Sequence, residues 1–111
     1  MTTPTDNRED CELCGRPVRH LTRHHLIPRT RHRNRRNKRD FDRDEVRARI
    51  AWLCSACHRQ IHAVLSEKEL ERGYNTLAAL REHPEIRRFV DWLANKPADF
   101  RPTVRRARRR E

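Results

Sequence analysis

Two C-x-x-C pairs, Cys11/Cys14 and Cys54/Cys57, constrain this chain more than any other feature of its 111 residues, and they account for all four cysteines. With 34% apolar residues the chain can build only a small core, most simply as one domain, so a staple is expected. The opening Met1 to Asp10 is hydrophilic, unlike a signal peptide, and no apolar run approaches a membrane span. The expectation is a reducing, cytoplasmic setting without membrane attachment, where paired C-x-x-C motifs serve zinc more often than disulfides. Together the pairs form a closed Cys₄ set, which suits structural zinc because no coordination position is left for water. The gap from Cys14 to Cys54 exceeds ordinary zinc-ribbon spacing, so something is inserted between the two knuckles.

The second pair sits in the densest stretch, Trp52-Leu-Cys-Ser-Ala-Cys-His-Arg-Gln-Ile-His62, with two thiols and two imidazoles in barely two helical turns. On a helix, His58 and His62 at i, i+4 share a face, about 40° apart, whereas Cys57 and His58 diverge by about 100°. The stretch therefore reads as a junction: thiols toward one metal, imidazoles toward a second metal or a substrate. Further upstream, Val18 to Ile27 has β-formers in partial alternation and ends at Pro28, which predicts a strand near Leu21 to Ile27 carrying His24 and His25. Adjacent strand residues face opposite sides, so this pair splits unless a distortion turns both inward. His24, His58 and His62 could form an open site of neutral imidazoles with room for water and phosphate. That leaves His25 as a general base, with an ordinary pKa of about 6.5 suited to taking a proton from water.

Charge distribution points to a polyanionic partner. The net charge is +11, and residues 16 to 49 alone hold thirteen basic and four acidic side chains. The tail, 101 to 111, has six Arg against one Glu, while 63 to 100 is near neutral. The excess thus lies beside the candidate metal sites and in the tail, as nucleic-acid binding requires. Residues 29 to 39 have seven basic residues in eleven and no apolar one, which excludes a core role; phosphate contact is the favoured expectation over a merely solvated loop. Arg23, Arg29, Arg31, Arg33, Arg35, Arg36, Lys38, Arg39 and Arg49 are the candidate contacts.

The remaining pattern predicts an α+β, mostly helical domain. Residues 1 to 10 lack periodicity and are expected to be disordered; 11 to 65 form the core, with the basic insertion at 29 to 39. Asp42 caps a short helix, Ile50 to Leu53 is extended, and Ser55 to about Leu65 is the central helix. Ser66-Glu-Lys-Glu69 is a capping box opening a helical extension, 66 to 97, which Gly73 kinks or splits and Pro84 restarts. Residues 98 to 111 make a basic tail.

These residues resemble the HNH (His-Asn-His) endonucleases through Cys11-x-x-Cys14-Gly15, His24-His25-Leu-Ile-Pro28 and Leu53-Cys54-x-x-Cys57-His58-x-x-Ile61-His62. The match spans about residues 11 to 63. The resemblance implies a ββα-metal, treble-clef-like core stapled by a Cys₄ zinc. It implies a metal-dependent endonuclease that cuts nucleic-acid phosphodiesters, with double-stranded DNA as the expected partner and His25 activating water. His24, His58 and His62 would hold the catalytic divalent ion, Mg²⁺, Mn²⁺, Ni²⁺ or Zn²⁺; three imidazoles favour a transition metal. One position departs from the pattern. Arg49 stands where the family has its middle Asn, nine residues before His58, and Asn34 or Asn37 is a possible substitute. The competing expectation is a non-catalytic, zinc-stabilised nucleic-acid-binding module.

Overall fold

The cysteine knuckles organise the chain in the computed structural model, which describes residues 8–102. A short hairpin frames the first knuckle: β1 (Glu9–Asp10) pairs antiparallel with β2 (Pro17–Val18). The reversal between them is closed by Gly15 N–H to Cys11 O at 2.9 Å and Cys11 N–H to Arg16 O at 3.0 Å. Gly15 takes φ +82°, a region that L side chains avoid. This turn orders the end of the segment expected to be disordered; the rest, residues 1–7, lies outside the described residues.

The second sheet carries the histidines. β3 (Thr22–His25) pairs antiparallel with β4 (Ile50–Leu53), placing His24 opposite Ala51 and Arg23 opposite Trp52. Alternation sorts the faces: Ala51 and Leu53 are fully buried while Trp52 is 45% exposed. Directly after β4 the chain enters α3 (Ser55–Val64), whose start is fixed by Cys54 Sγ accepting from Cys57 N–H. Ile61 and Cys57 on α3 join Leu53, Leu70, Leu80, Ile86 and Leu93 in the core.

The segment between the sheets departs from expectation. Arg29–Arg31 is a 3₁₀ turn, and α1 (Arg35–Asp40) follows, capped by the Asn34 side chain on Arg36 and Asn37 N–H. Instead of a loop outside the core, its middle residue, Asn37, is fully buried. Asn37 Nδ2 donates to Glu71 Oε2 at 2.6 Å, and Arg43 Nη2 donates to Asn37 Oδ1 at 2.7 Å. Polar pairing replaces apolar packing here, which is why a run without apolar residues is still anchored.

Capping chemistry sets the other helices. Asp42 caps α2 (Arg43–Ala48), and Ser66 with Glu69 forms the capping box of α4 (Glu67–Gly73). The chain breaks after Gly73 and restarts at α5 (Leu77–Glu82) behind Thr76, then at α6 (Pro84–Leu93) behind Pro84. Ile86, Val90 and Leu93 form the buried stripe of α6. The helix stops at Leu93, short of Pro97, because Asn95 and Lys96 N–H close tight turns on Trp92 and Leu93. Residues 98–102 pack back, with Pro102 buried; the rest of the basic tail lies outside the described residues. No helix among the described residues is long and apolar enough to cross a membrane.

Candidate metal centres

Four sulfurs converge where the two knuckles meet. Cys11, Cys14, Cys54 and Cys57 are all buried, with ligand atoms within 4.8 Å of one another. Cys14 Sγ and Cys54 Sγ are 3.9 Å apart. A disulfide needs about 2.05 Å, whereas a tetrahedron of about 2.3 Å Zn–S bonds has edges of about 3.8 Å. The spacing is that of a metal site, and the four cysteines could hold a structural ion such as zinc. Amides already point at the sulfurs: Leu13 and Cys14 N–H reach Cys11 Sγ at 3.4 Å. Crowding among the thiols also splits their proton affinities. The hydrogen bond from Cys14 helps draw Cys11 down to about 6, and Cys54 is lowered chiefly by Cys11. Cys14 and Cys57 are pushed up, chiefly by Cys11.

Three histidines converge on the other side of α3. The rings of His24, His58 and His62 form a near-equilateral triangle, with centroids 5.1, 5.4 and 5.1 Å apart. Their nitrogens also fall within 4.8 Å, so they too could hold a metal ion. His24 is fully buried, and neither ring nitrogen has a hydrogen-bond partner among the described residues. A buried, unpartnered imidazole is costly unless something outside the protein satisfies it. Burial, then His58, His62 and His25, hold its pKa down to about 3, so it presents lone pairs at neutral pH. Burial likewise lowers His58 and His62.

Thr22 orients the set. Its hydroxyl donates to Leu53 O at 2.9 Å and lies 2.8 Å from His58 Nδ1. With the hydroxyl proton committed to the carbonyl, Nδ1 must donate, leaving His58 Nε2 free as a ligand. Strand alternation divides the His-His pair: His24 joins the triangle, and His25 is half-buried beside His32, 6.3 Å between centroids. His25 is nonetheless near enough for its charge to depress His24 and His58. Burial, then Arg23, Arg29 and His32, lower His25 itself. His32 is tied down by its Nε2 donating to Ile27 O at 2.7 Å.

The predicted basic residues split into two groups. Arg23, Arg29, Arg33, Arg35 and Lys38 are exposed and make no ion pair among the described residues. Arg31 pairs with the buried Glu71 at 3.0 Å, and Arg36 and Arg39 pair with Asp40. Arg49 is also occupied: its guanidinium reaches Glu45 Oε2 and Asn75 Oδ1, and lies 5.9 Å from the Phe41 ring centroid. Its main chain does a separate job, accepting Leu26 N–H at 3.0 Å just after β3. Asn34 caps α1 and Asn37 is buried against Glu71, so both are used structurally. Thr22, Arg16, Arg19 and Arg59 were not singled out by sequence; Thr22 gains its role from His58 and Arg16 from Cys54, contacts that only the fold creates.

The chain is 38% identical over 89 residues to the uncharacterized protein YisB of Bacillus subtilis (strain 168), covering 80% of this chain and 77% of that one. It belongs to the YisB family. The aligned length exceeds the whole 11 to 65 stretch, so the sequence similarity extends beyond it. No family model matches the chain, and no solved structure matches it.

Proposed function

We propose that this chain is a metal-dependent endonuclease of the HNH type, with β3, β4 and α3 as its ββα-metal core, acting on the phosphodiester bonds of DNA. The observation that carries this reading is the triangle of His24, His58 and His62, whose buried member has no partner and whose second member has its tautomer set by Thr22. A divalent ion held by these imidazoles would neutralise charge on a phosphodiester and stabilise the departing oxygen. His25, kept neutral by burial and by Arg23, Arg29 and His32, accepts the proton of the attacking water. The water oxygen bonds to phosphorus as the P–O bond to the sugar breaks. Arg23 and Arg29 beside His25 hold the phosphate backbone in place.

Arg49 does not bear against this reading. The loop after β3 is tethered by the Arg49 carbonyl instead of an Asn side chain, and the guanidinium is neutralised by Glu45. The exposed basic residues alone would suit a non-catalytic module, but such a module gives no use for an unpartnered His24. Plasmid nicking by the zinc-loaded protein with added Mg²⁺, Mn²⁺ or Ni²⁺ tests the proposal. Cutting that responds to metal and disappears in His25→Ala supports it; equal cutting by the variant overturns it.

A further inference from the structure

A cavity of about 300 Å³ lies beside the cysteine set, with Cys54 in its wall, and none of the three histidines lines it. Its walls come from separate parts of the chain: Arg8 before β1, the stretch from Arg16 through β2 to Thr22, Cys54 with the start of α3, and the segment after α6. Arg19, Arg59 and Arg101 line it with exposed side chains, and Asp99 is the one carboxylate of the lining. Val18, Ala56 and Phe100 give it an apolar side. Arg16 holds that side in place, donating to Pro97 O at 2.7 Å, Phe100 O at 3.3 Å and Cys54 Sγ at 3.6 Å. The cavity does not end there. Thr22, Ser55 and Arg59 also line the smaller hollow in front of His58 and His62, so the two spaces share a wall.

We propose that this cavity is a nucleotide subsite, which takes the nucleotide next to the scissile phosphate, unpaired and out of its stack. The inference rests on the nuclease reading and names its substrate more narrowly. A volume this small is at the lower end of ligand pockets; it admits one nucleotide and excludes a duplex. Guanidinium groups on one side and an apolar, aromatic side on the other match the two chemical halves of a nucleotide, phosphate and base. The shared wall then has a direct use: a strand with its phosphate at the histidines has its neighbouring nucleotide in the cavity. A duplex would be engaged by drawing one base out of it, an expense smallest at a frayed, nicked or mismatched position.

Binding separates this from catalysis. Fluorescence anisotropy would follow a labelled single-stranded trinucleotide, and the same trinucleotide with one abasic sugar, on full-length zinc-loaded protein without added divalent metal. The expected result is about tenfold weaker binding of the best-placed abasic ligand, a discrimination that shrinks in Phe100→Ala and in Val18→Ala, on the apolar side. Arg88→Ala, at an exposed position of α6, should leave the discrimination intact. Zinc content and the melting transition confirm that each variant is folded, and two variants on separate segments guard against the loss of either. Equal binding of base-bearing and abasic ligands by wild type overturns the subsite, as does discrimination unchanged in both variants. Absence of nicking with discrimination retained would sink the nuclease and leave the nucleotide site standing; nicking without discrimination does the reverse.

Discussion

Cys57 and His58 are neighbours on α3, yet one is fully buried among sulfurs and the other half-buried beside Thr22, its ring facing two imidazoles. One helix thus serves two ligand sets, turned apart by the 100° between successive residues. The cysteine set is closed: four ligands, all buried, with amides directed at the sulfur. The histidine set is graded, from fully buried His24 to exposed His62. A closed set can hold an ion and nothing else, whereas a graded set of three can hold an ion and admit another molecule at the open side. Rigid attachment of the second to the first is what lets a chain with so small a core keep three rings in register.

Removing the closed set should have the largest effect. Cys57→Ala, or prolonged chelation, is expected to abolish the cooperative melting transition, since structural zinc sites contribute about 10 kcal/mol or more to folding. Circular dichroism with metal analysis checks this, and a melt that survives zinc loss would erase the distinction drawn between the two sets. Next comes the open side. His25→Ala should cut nicking by about a hundredfold or more while zinc content and melting temperature stay at wild-type values.

The Glu71 carboxylate offers a third, smaller test, away from both sets. Burial raises its pKa, but donors Arg72, Asn37 and Arg31 outweigh that and hold it below the usual carboxylate range. A carboxyl depressed in the folded state adds stability above its unfolded pKa of about 4.3 and loses it as pH falls through the lower folded value. Glu71→Gln should therefore flatten the loss of melting temperature below about pH 4.3, and at neutral pH cost about 2 kcal/mol in urea unfolding. The smallest effect belongs to Thr22→Val. Freed of its acceptor, His58 loses its fixed tautomer, and affinity for the second metal should fall about tenfold by calorimetry with the zinc of the cysteine set unchanged. An equal fall in both would show that Thr22 supports the fold and not the ligand.

Sequence made the ligand sets and helix starts legible because their signals are local. C-x-x-C, His58 with His62, the Asp42 cap and the Ser66/Glu69 box each lie within a few residues, and helix or turn geometry converts such spacing directly into position. Glu71 was illegible for the opposite reason. Within Glu67-Lys-Glu-Leu-Glu-Arg72 it resembles one more solvated charge, and only partners 34 and 40 residues earlier, Asn37 and Arg31, make it a buried anchor. Those same partners turned the supposed loop at 29 to 39 into a docked helix. Thr22 belongs with them, since a threonine in a strand has no signature until the strand pairing sets it against Leu53 and α3 brings His58 to it.

Arg16 connects positions far apart in sequence through a single planar group. One guanidinium donates to a sulfur of the cysteine set and to two carbonyls of the segment after α6 that forms the cavity's far side. Anything that orders that segment also orders the donor on Cys54, and the free energy of the two events is shared. Thermodynamic reciprocity then makes the relation run both ways: a nucleotide that binds more tightly when the zinc is in place must raise the affinity for zinc by the same factor. The structural ion would thus register occupancy, and its affinity would read out a binding event it never touches.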